Sequence, residues 1–445
     1  MNDIRKPLLK RARITSFRLI LFGFLALIMI GTFLLMLPIS SRTHQATPFL
    51  DCLFTATSAS CVTGLTVLDT GNYWSQFGKF IIFIMIQIGG LGVITMTIAL
   101  VRLSGRKISI YQRSVVQDSL SVDHGGGVMK MISFIIKITL LFEGIGALLL
   151  MIPFCKEFGL IKGMTFAVFH AVSAFCNAGF DLFGNFQSLT TYLGNTYINL
   201  VIMTLIIFGG IGFYTWQDVK RHRFDLKNYT FQSKVILYTS FWLFVIPAIY
   251  FCCFEYTDLY GKERVLASLF QSVTCRTAGF NTTDLAKLSN SASLISIILM
   301  LIGGCPGSTA GGMKTTTIAV LILSSVSVFS QSDTAHTKTR RIPDNTVKAA
   351  SAIFLLYVVL FIFSAIFISS IEDLPLIDCL FETASAIGTV GITKGITTLV
   401  KVPTRIILIF LMFFGRVGCL TLIYAALPRV RKDPMKLPMG NINVG

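Results

Sequence analysis

The sequence predicts an all-α integral membrane protein of four tandem units, each a helix, a short re-entrant half-helix with a loop, and a second helix. Three observations favour this fold class. Of the 445 residues, 53% are hydrophobic and only 13% are charged, about half the charged share of a soluble domain. Apolar runs such as Leu19–Leu37 contain no charged residue and approach the roughly 20 residues that a membrane-crossing helix needs. A short motif that contains glycine occurs four times.

The basic residues predict which side of the membrane each end occupies. The net charge is +17, and 24 of the 38 Lys and Arg lie in five segments beside apolar runs. Cytoplasmic loops carry such an excess of basic residues, so we expect both termini in the cytoplasm. We also expect these segments to lie beside membrane lipids and not to bind nucleic acid. The segments are Met1–Arg18, Arg102–Lys130, Lys220–Lys234, Gln331–Lys348 and Arg429–Lys436.

The repeated motif begins with an aliphatic residue and Phe, continues through small residues, and ends in Gly followed by an apolar residue. About a dozen helix-compatible residues precede the glycine, which is too few to cross a bilayer and predicts a re-entrant half-helix. The four copies are LFTATSASCVTGLT (Leu53–Thr66), VFHAVSAFCNAGFD (Val168–Asp181), LFQSVTCRTAGFN (Leu269–Asn281) and LFETASAIGTVGIT (Leu380–Thr393).

One apolar segment precedes each motif and another follows it, which predicts eight transmembrane helices and four half-helices around a pseudo-fourfold pore. The preceding segments are Leu19–Leu37, Met131–Ile152, Val235–Phe254 and Ala349–Ile371, and the following ones are Phe80–Val101, Ile198–Trp216, Leu294–Leu323 and Ile406–Ala426. The predicted units are therefore 19–101, 131–216, 235–323 and 349–426, with cytoplasmic loops 102–130, 217–234 and 324–348 and cytoplasmic tails 1–18 and 427–445.

The loops that end the four motifs are the predicted ion site. Irregular backbone at membrane depth persists only where it is buried in protein or lines a watery cavity. Glycine lets carbonyl groups turn toward a common axis, and the C-terminal ends of the half-helices favour a cation there. We predict that backbone carbonyls coordinate the ion at Gly64, Gly179, Gly279 and Gly391; helix packing by small residues is the alternative. The predicted filter comprises Val62, Thr63, Gly64, Asn177, Ala178, Gly179, Thr277, Ala278, Gly279, Thr389, Val390 and Gly391.

Two acids and one arginine near the loops have predicted structural roles. Asp51 and Asp378 stand three residues before their motif's Phe, where we expect N-terminal caps of the half-helices; a surface acid that concentrates cations is the alternative. Arg276 precedes the third filter run, and we expect it to anchor the filter from behind through an acid such as Glu382.

The second helix of the third unit contains GGCPGSTAGGMK, whose glycines and proline are incompatible with a continuous helix. We predict a gate below the filter, with a static kink as the alternative. A nucleotide-binding loop is not favoured, because the residue spacing of such a loop is absent. In the second helix of the fourth unit, Arg416 occupies the position where the first two units have Gly90 and Gly210. An intramembrane arginine normally faces a cavity or a partner, so we expect it to oppose the permeating cation or to hold the gate; a structural ion pair is the alternative. The predicted gate is Gly303, Gly304, Cys305, Pro306, Gly307, Ser308, Thr309, Ala310, Gly311, Gly312, Met313, Lys314 and Arg416.

Together, the four units with one glycine per loop, CRTAGFNT, GSTAGGMKTT and the last-helix arginine resemble the Trk/Ktr/HKT superfamily of potassium transporters, in particular its bacterial KtrB-type membrane subunits. The resemblance implies a homodimer with one pore per protomer in the bacterial cell membrane. It also implies a cytosolic KtrA-type ring that binds ATP or ADP, K⁺ as the substrate, and Na⁺ as an activator or co-substrate. Plant relatives with Ser at the first filter glycine pass Na⁺ more readily, so the resemblance favours K⁺ at Gly64.

The sequence analysis therefore predicts the ion-translocating subunit of a potassium uptake system, and no cofactor bound by this chain. The alternative is a Na⁺-coupled transporter of another small solute, but that class uses inverted repeats whereas these four repeats run in the same direction. An intramembrane enzyme is not favoured, because we find no paired acids, Ser/His set or metal ligands at membrane depth. The sequence does not distinguish a channel from a symporter.

Overall fold

The structure is a computed structural model that describes residues 16–93, 95, 96, 98, 128–223, 225–337 and 340–426. Helices and loops make up this part of the chain, which has isolated β-bridges but no β-strand. Three predicted cytoplasmic segments lie mostly or wholly outside the described residues: the tail 1–18, the loop 102–130 and the tail 427–445.

We number the α-helices in chain order. The first unit contains α1 (Ser16–Met36), α2 (Phe49–Ser60) and α3 (Gln76–Leu91). The second contains α4 (Val128–Phe158), α5 (Leu160–Phe175), α6 (Thr196–Gly210) and α7 (Phe213–His222). The third unit contains α8 (Phe231–Tyr250), α9 (Gly261–Thr274), α10 (Asn290–Leu301) and α11 (Thr315–Phe329). The fourth contains α12 (Asp344–Glu372), α13 (Leu376–Gly388), α14 (Val402–Val417) and α15 (Cys419–Ala426). Short 3₁₀-helices span Pro38–Ser40, Thr190–Tyr192, Leu226–Asn228, Leu285–Lys287 and Ile396–Thr398, and a π-helical turn spans Phe251–Glu255.

Four long apolar helices could each cross a membrane. In the described part of the chain they are Phe17–Met36, Lys130–Phe158, Phe231–Glu255 and Asp344–Glu372, and the bent pair α6 and α7 would make a fifth span. At 20 to 29 residues, each reaches the length that a bilayer core requires. At most about a third of the most apolar stretch of each helix is buried in the isolated chain, as expected of surfaces that face lipid.

The four half-helices pack inside this set. Helices α2, α5, α9 and α13 contain 12, 16, 14 and 13 residues, and each packs against the long helix before it. Their C-terminal halves are buried, and the motif phenylalanines Phe54, Phe270 and Phe381 are at most 1% exposed. The motif's Phe is therefore a buried packing residue, and the small residues after it let the loop ends approach one another.

Each second helix is shorter than the sequence predicts. We expected a break only in the third unit, but α3, α6 and α14 also end near an aligned glycine with positive φ: Gly92 at +85°, Gly212 at +97° and Gly418 at +89°. Positive φ is costly in a right-handed helix except at glycine, so the helix ends there. Between α6 and α7 the chain bends by 97°. The predicted continuous helices over 80–101, 198–216 and 406–426 are therefore wrong.

The starts of three second helices follow ordinary capping rules. Ser75, Asn195 and Ser289 each accept a hydrogen bond from a backbone N–H in the first turn of α3, α6 and α10. Such a cap satisfies an amide that lacks an intrahelical partner. The chain therefore leaves each of these three loops and enters the next helix at a defined residue.

Candidate functional site

The four glycine loops share one backbone conformation. In each loop the residue two positions before the glycine and the glycine itself have positive φ, although only one of the two is glycine. Non-glycine residues seldom adopt positive φ, and such strain clusters at functional sites. The values are +49° at Val62 and +94° at Gly64, +56° at Asn177 and +67° at Gly179, +68° at Thr277 and +85° at Gly279, and +52° at Thr389 and +96° at Gly391.

The four loops form a closed ring. A Cβ built on Gly64 would lie 2.6 Å from the Ala178 carbonyl oxygen, and one on Gly179 would lie 2.9 Å from the Ala278 oxygen. A Cβ on Gly279 would lie 2.6 Å from the Val390 oxygen, and one on Gly391 would overlap the Thr63 oxygen. Each glycine thus faces the carbonyl before the next glycine, in the order first, second, third, fourth and back to the first. No side chain fits at these positions without displacing the neighbouring backbone.

The amide groups of the ring point away from its centre. The N–H of the residue before each glycine donates to a half-helix carbonyl: Thr63 to Ser58 (2.8 Å), Ala178 to Ser173 (2.8 Å), Ala278 to Thr274 (3.0 Å) and Val390 to Ser385 (2.8 Å). Alternating positive and negative φ gathers successive N–H groups on one side of a backbone, which leaves the carbonyls for the other side.

The carbonyls of the ring have no protein partner. Among the described residues, none of the twelve backbone oxygens of 62–64, 177–179, 277–279 and 389–391 accepts a hydrogen bond. Eleven of these twelve residues are buried. A buried backbone carbonyl is normally paired with protein or water, so a ring of loops with twelve carbonyls that lack a protein partner suits a desolvated cation. The nearby C-terminal ends of α2, α5, α9 and α13 add partial negative charge.

A buried hydroxyl lies behind each loop, and the sequence analysis did not single it out. Ser58, Ser173, Thr274 and Ser385 stand four residues after the motif's Phe in every unit and are fully buried. Each one makes a hydrogen bond to the backbone of its own loop. The signal was present in the sequence, because a hydroxyl residue occupies this position in all four copies.

The two acids near the half-helix starts are not N-terminal caps. Pro48 and Pro375 occupy the cap positions of α2 and α13, and neither helix has a side-chain cap. The two acids are the third residues of these helices, inside the first turn. Asp51 pairs with Arg405 at 2.6 Å (Nη1–Oδ1), and Asp378 pairs with Lys394 at 2.7 Å (Nζ–Oδ1).

The segment Gly303–Lys314, hereafter the intramembrane segment, forms a loop between α10 and α11 whose ends meet. The Thr315 N–H donates to the Gly304 carbonyl at 3.1 Å, and residues 302 and 313 form a parallel bridge. The loop's tip reaches the half-helices: the Thr309 hydroxyl donates to the Phe175 carbonyl at 3.0 Å. A Cβ built on Gly311 would overlap the Thr389 side chain. The segment therefore lies directly against the residues that carry the ring.

Arg416 ties the intramembrane segment to the first unit. Its guanidinium donates to the Thr309 carbonyl and to the carbonyls of Gly89 and Gly90, the last at 2.9 Å. The Lys314 ammonium donates to the Ala310 carbonyl at 2.8 Å within the segment. Both cations thus bind backbone carbonyls, and no described acid forms an ion pair with Arg416.

A cavity of about 280 Å³ lies on the far side of the intramembrane segment from the ring. Arg416 and Lys314 line it together with the glycines at the helix breaks, Gly92, Gly418 and Gly307.

Arg276 has partners other than the one expected. Its Nη2 donates to the Thr315 hydroxyl at 2.8 Å, and its guanidinium carbon lies 4.6 Å from the centre of the Phe244 ring. Glu382 instead accepts hydrogen bonds from Thr393 (2.7 Å) and Thr397. The expected Arg276–Glu382 contact is therefore wrong, because the arginine extends toward the start of α11 and the acid toward its own loop's exit.

A buried acid behind the second loop also received no role from the sequence. Glu143 of α4 is 5% exposed and accepts a hydrogen bond from Gln87 at 3.1 Å. The thiol of Cys176, the residue before Asn177, lies 3.6 Å from the other carboxylate oxygen. Neither partner could be read from sequence spacing, since they lie 56 and 33 residues away.

The chain is similar to known cation transport proteins. A family model described as TrkH, cation transport protein, matches residues 5–433. The chain is 38% identical over 447 residues to the potassium/sodium uptake protein NtpJ of Enterococcus hirae, with 98% of each chain covered. It is 35% identical over 450 residues to the Ktr system potassium uptake protein B of Bacillus subtilis, with 99% of each covered. The crystal structure of the potassium transporter TrkH from Vibrio parahaemolyticus has a similar fold, with a TM-score of 0.73 at 19% identity over 95% of this chain and 87% of that one.

Proposed function

The chain belongs to the TrkH family of cation transport proteins, and from this premise we propose that it is the ion-translocating subunit of a potassium uptake system. The observation that carries the proposal is the ring of four glycine loops with twelve carbonyls that lack a protein partner. Carbonyl oxygens of this kind replace the water shell of an ion in potassium filters. The names of the relatives, potassium/sodium uptake protein and potassium uptake protein B, support K⁺ as the transported ion.

In this proposal Gly64, Gly179, Gly279 and Gly391 let the loops approach until their carbonyls surround one K⁺ path. The close contacts support glycine as a requirement for selectivity, because any Cβ would push a neighbouring carbonyl out of place. The Asn177 side chain is engaged with the Thr277 hydroxyl at 3.2 Å. Filter coordination is by backbone oxygen.

The intramembrane segment is the gate in this proposal. Its contacts support a closed position, since Thr309 reaches the end of α5 and Arg416 bridges the segment to the first unit. Half-buried Arg416 and Lys314 would add an electrostatic barrier for a cation that comes from the ring. Opening would require the segment to leave the ring's underside and Arg416 to release Thr309.

We further propose that the chain crosses a bacterial cell membrane eight times, with both termini in the cytoplasm and the half-helices entering from outside. The basic segments between units support this orientation. Each second helix would cross as a broken span, with its positive-φ glycine near the inner cavity. Such breaks are tolerated where they line a cavity within protein.

The proposal extends to partners, as the resemblance to KtrB-type subunits implies. A homodimer would assemble with a cytosolic ring of KtrA type, and ATP or ADP would bind that ring and not this chain. The Ktr-system names of two relatives support a multi-component transporter. Sodium would act as an activator or co-substrate, consistent with the potassium/sodium name of another relative.

The test is potassium uptake by cells that lack their own potassium transporters. We expect the chain to restore growth and K⁺ uptake at low external K⁺, with further stimulation by Na⁺ and by a co-expressed KtrA-type subunit. A membrane-inserted chain that gives no K⁺ uptake under any of these conditions would overturn the proposal. Uptake of a small organic solute without K⁺ dependence would favour the secondary transporter instead.

A further inference from the structure

Four buried hydroxyls behind the ring make a second repeated layer of the site. Ser58, Ser173, Thr274 and Ser385 keep one spacing from their motif's Phe, even though the third loop is one residue shorter between Phe and Gly. Their position is thus set by the half-helix and not by the loop. We propose that these hydroxyls are positioning residues that determine ion selectivity, because they fix which way the loop carbonyls point. This inference rests on the proposed function.

In the first and fourth units the hydroxyl accepts a hydrogen bond from the glycine itself. The Gly64 N–H donates to Ser58 Oγ at 3.0 Å, and the Gly391 N–H donates to Ser385 Oγ at 3.0 Å. A trans peptide is planar, so its C=O points opposite to its N–H. Each bond therefore turns the preceding carbonyl, that of Thr63 or Val390, away from the half-helix and toward the neighbouring loop.

In the second and third units the hydroxyl instead holds the carbonyl that follows the glycine. Ser173 Oγ donates to the Phe180 carbonyl at 2.7 Å, and Thr274 Oγ1 donates to the Phe280 carbonyl. These two carbonyls are thereby drawn back against the half-helix. The row of inward carbonyls then ends at Gly179 and Gly279, which limits the length of the ion path on that side.

Selectivity is the property that these bonds should control. Discrimination between K⁺ and Na⁺ depends on the number, field strength and separation of the carbonyls. A loop that has lost its hydroxyl bond can let a carbonyl rotate or move inward around the smaller ion. The four hydroxyl side chains are fully buried, so water cannot easily replace the lost partner.

The test compares hydroxyl loss with matched changes in the same half-helices. Ser58→Ala removes the bond to Gly64, whereas Ser60→Ala removes a buried hydroxyl of the same helix that has no hydrogen-bond partner in the described part of the chain. Thr274→Val removes a hydroxyl at constant shape, whereas Thr274→Ser retains it. The measurement is the ratio of K⁺ to Na⁺ uptake in potassium-transport-deficient cells, normalised to the amount of protein in the membrane.

We expect Ser58→Ala and Thr274→Val to lower the ratio about fivefold, the factor that one net hydrogen bond represents, while Ser60→Ala and Thr274→Ser keep it. Equal ratios within each pair, in a chain whose wild type transports K⁺, would overturn the inference and leave the proposed function intact. A wild type that takes up no K⁺ would contradict both. If Thr274→Val does not accumulate, the serine pair decides, because each of its two variants removes only one oxygen atom.

Discussion

Asp51 and Arg405 connect the first unit to the fourth beside the N-terminal end of α2. The carboxylate and guanidinium are 2.6 Å apart, and the two side chains are 17% and 21% exposed. Asp51 also lies in the first turn of α2, where negative charge is favourable beside the helix N-terminus. The pair therefore holds the first half-helix, α2, to the start of α14 across 354 residues of sequence.

A double-mutant cycle tests this ion pair. We expect Asp51→Asn and Arg405→Gln each to lower the thermal stability of the detergent-solubilised protein, and the double variant to be no less stable than the worse single variant. A partly buried pair of good geometry should couple by about 1 kcal/mol. The control cycle uses Asp284 and Lys287, whose pair is longer (3.7 Å) and largely exposed. Coupling no larger than in that control would contradict the assignment.

The residues show which roles the sequence can predict. The four glycines were predictable because the same positive-φ requirement repeats in each unit and leaves the same residue type behind. The partners of Asp51, Arg276 and Glu382 were not, because each depends on which helix packs beside which. A local rule such as helix capping considers only neighbours in sequence, so it cannot anticipate an arginine from the last unit.

The intramembrane segment contacts the ring and also lines the cavity of about 280 Å³. It contacts the half-helix end through Thr309, the ring residue Thr389 through Gly311, and the fourth unit through the Gly312 N–H, which donates to the Gly415 carbonyl at 3.1 Å. Its two ends are already joined by the Thr315–Gly304 bond. The segment can therefore be shortened without separating α10 from α11.

Deletion of Gly307–Gly312 tests the gate. We expect K⁺ flux to rise at least about tenfold, since a barrier lowered by only about 1.4 kcal/mol has that effect. Ser308→Ala is the control, because the Ser308 hydroxyl bonds only within the segment, to the Cys305 carbonyl at 2.7 Å. Flux through the deletion variant that stays at the wild-type level, at equal membrane abundance, would reject the gate and leave the segment as a static kink.

Among the elements, the half-helices were predictable and the ends of the second helices were not. A dozen residues between an aliphatic–Phe pair and a glycine cannot cross a bilayer, so length alone predicts a short helix there, and the structure has one in each unit. The breaks at Gly92, Gly212 and Gly418 are harder to read from sequence. A single glycine inside an apolar helix is usually tolerated, and only the backbone shows that these three have positive φ.

At the scale of the whole molecule, four similar units solve a problem that no unit solves alone. One re-entrant loop would expose unpaired carbonyls and a helix C-terminus at membrane depth, which is costly in lipid. Four of them face one another instead, and each glycine packs on the carbonyl of the next loop. The contacts of α14 with α2 and of α1 with α15 bring the two ends of the chain together. The fourfold pattern was readable as a repeat, whereas its closure required three-dimensional packing.

Selection of the transported cation by the glycine ring is tested most directly by the ratio of K⁺ to Na⁺ uptake for Gly391→Ser. Gly395→Ser is the matched control: both glycines have nearly equal positive φ, +96° and +97°, but a Cβ on Gly395 meets nothing within 4 Å. We predict a fall on the order of tenfold for Gly391→Ser, equivalent to about 1.4 kcal/mol, and little change for Gly395→Ser. A membrane-inserted Gly391→Ser variant with the wild-type ratio would contradict the claim.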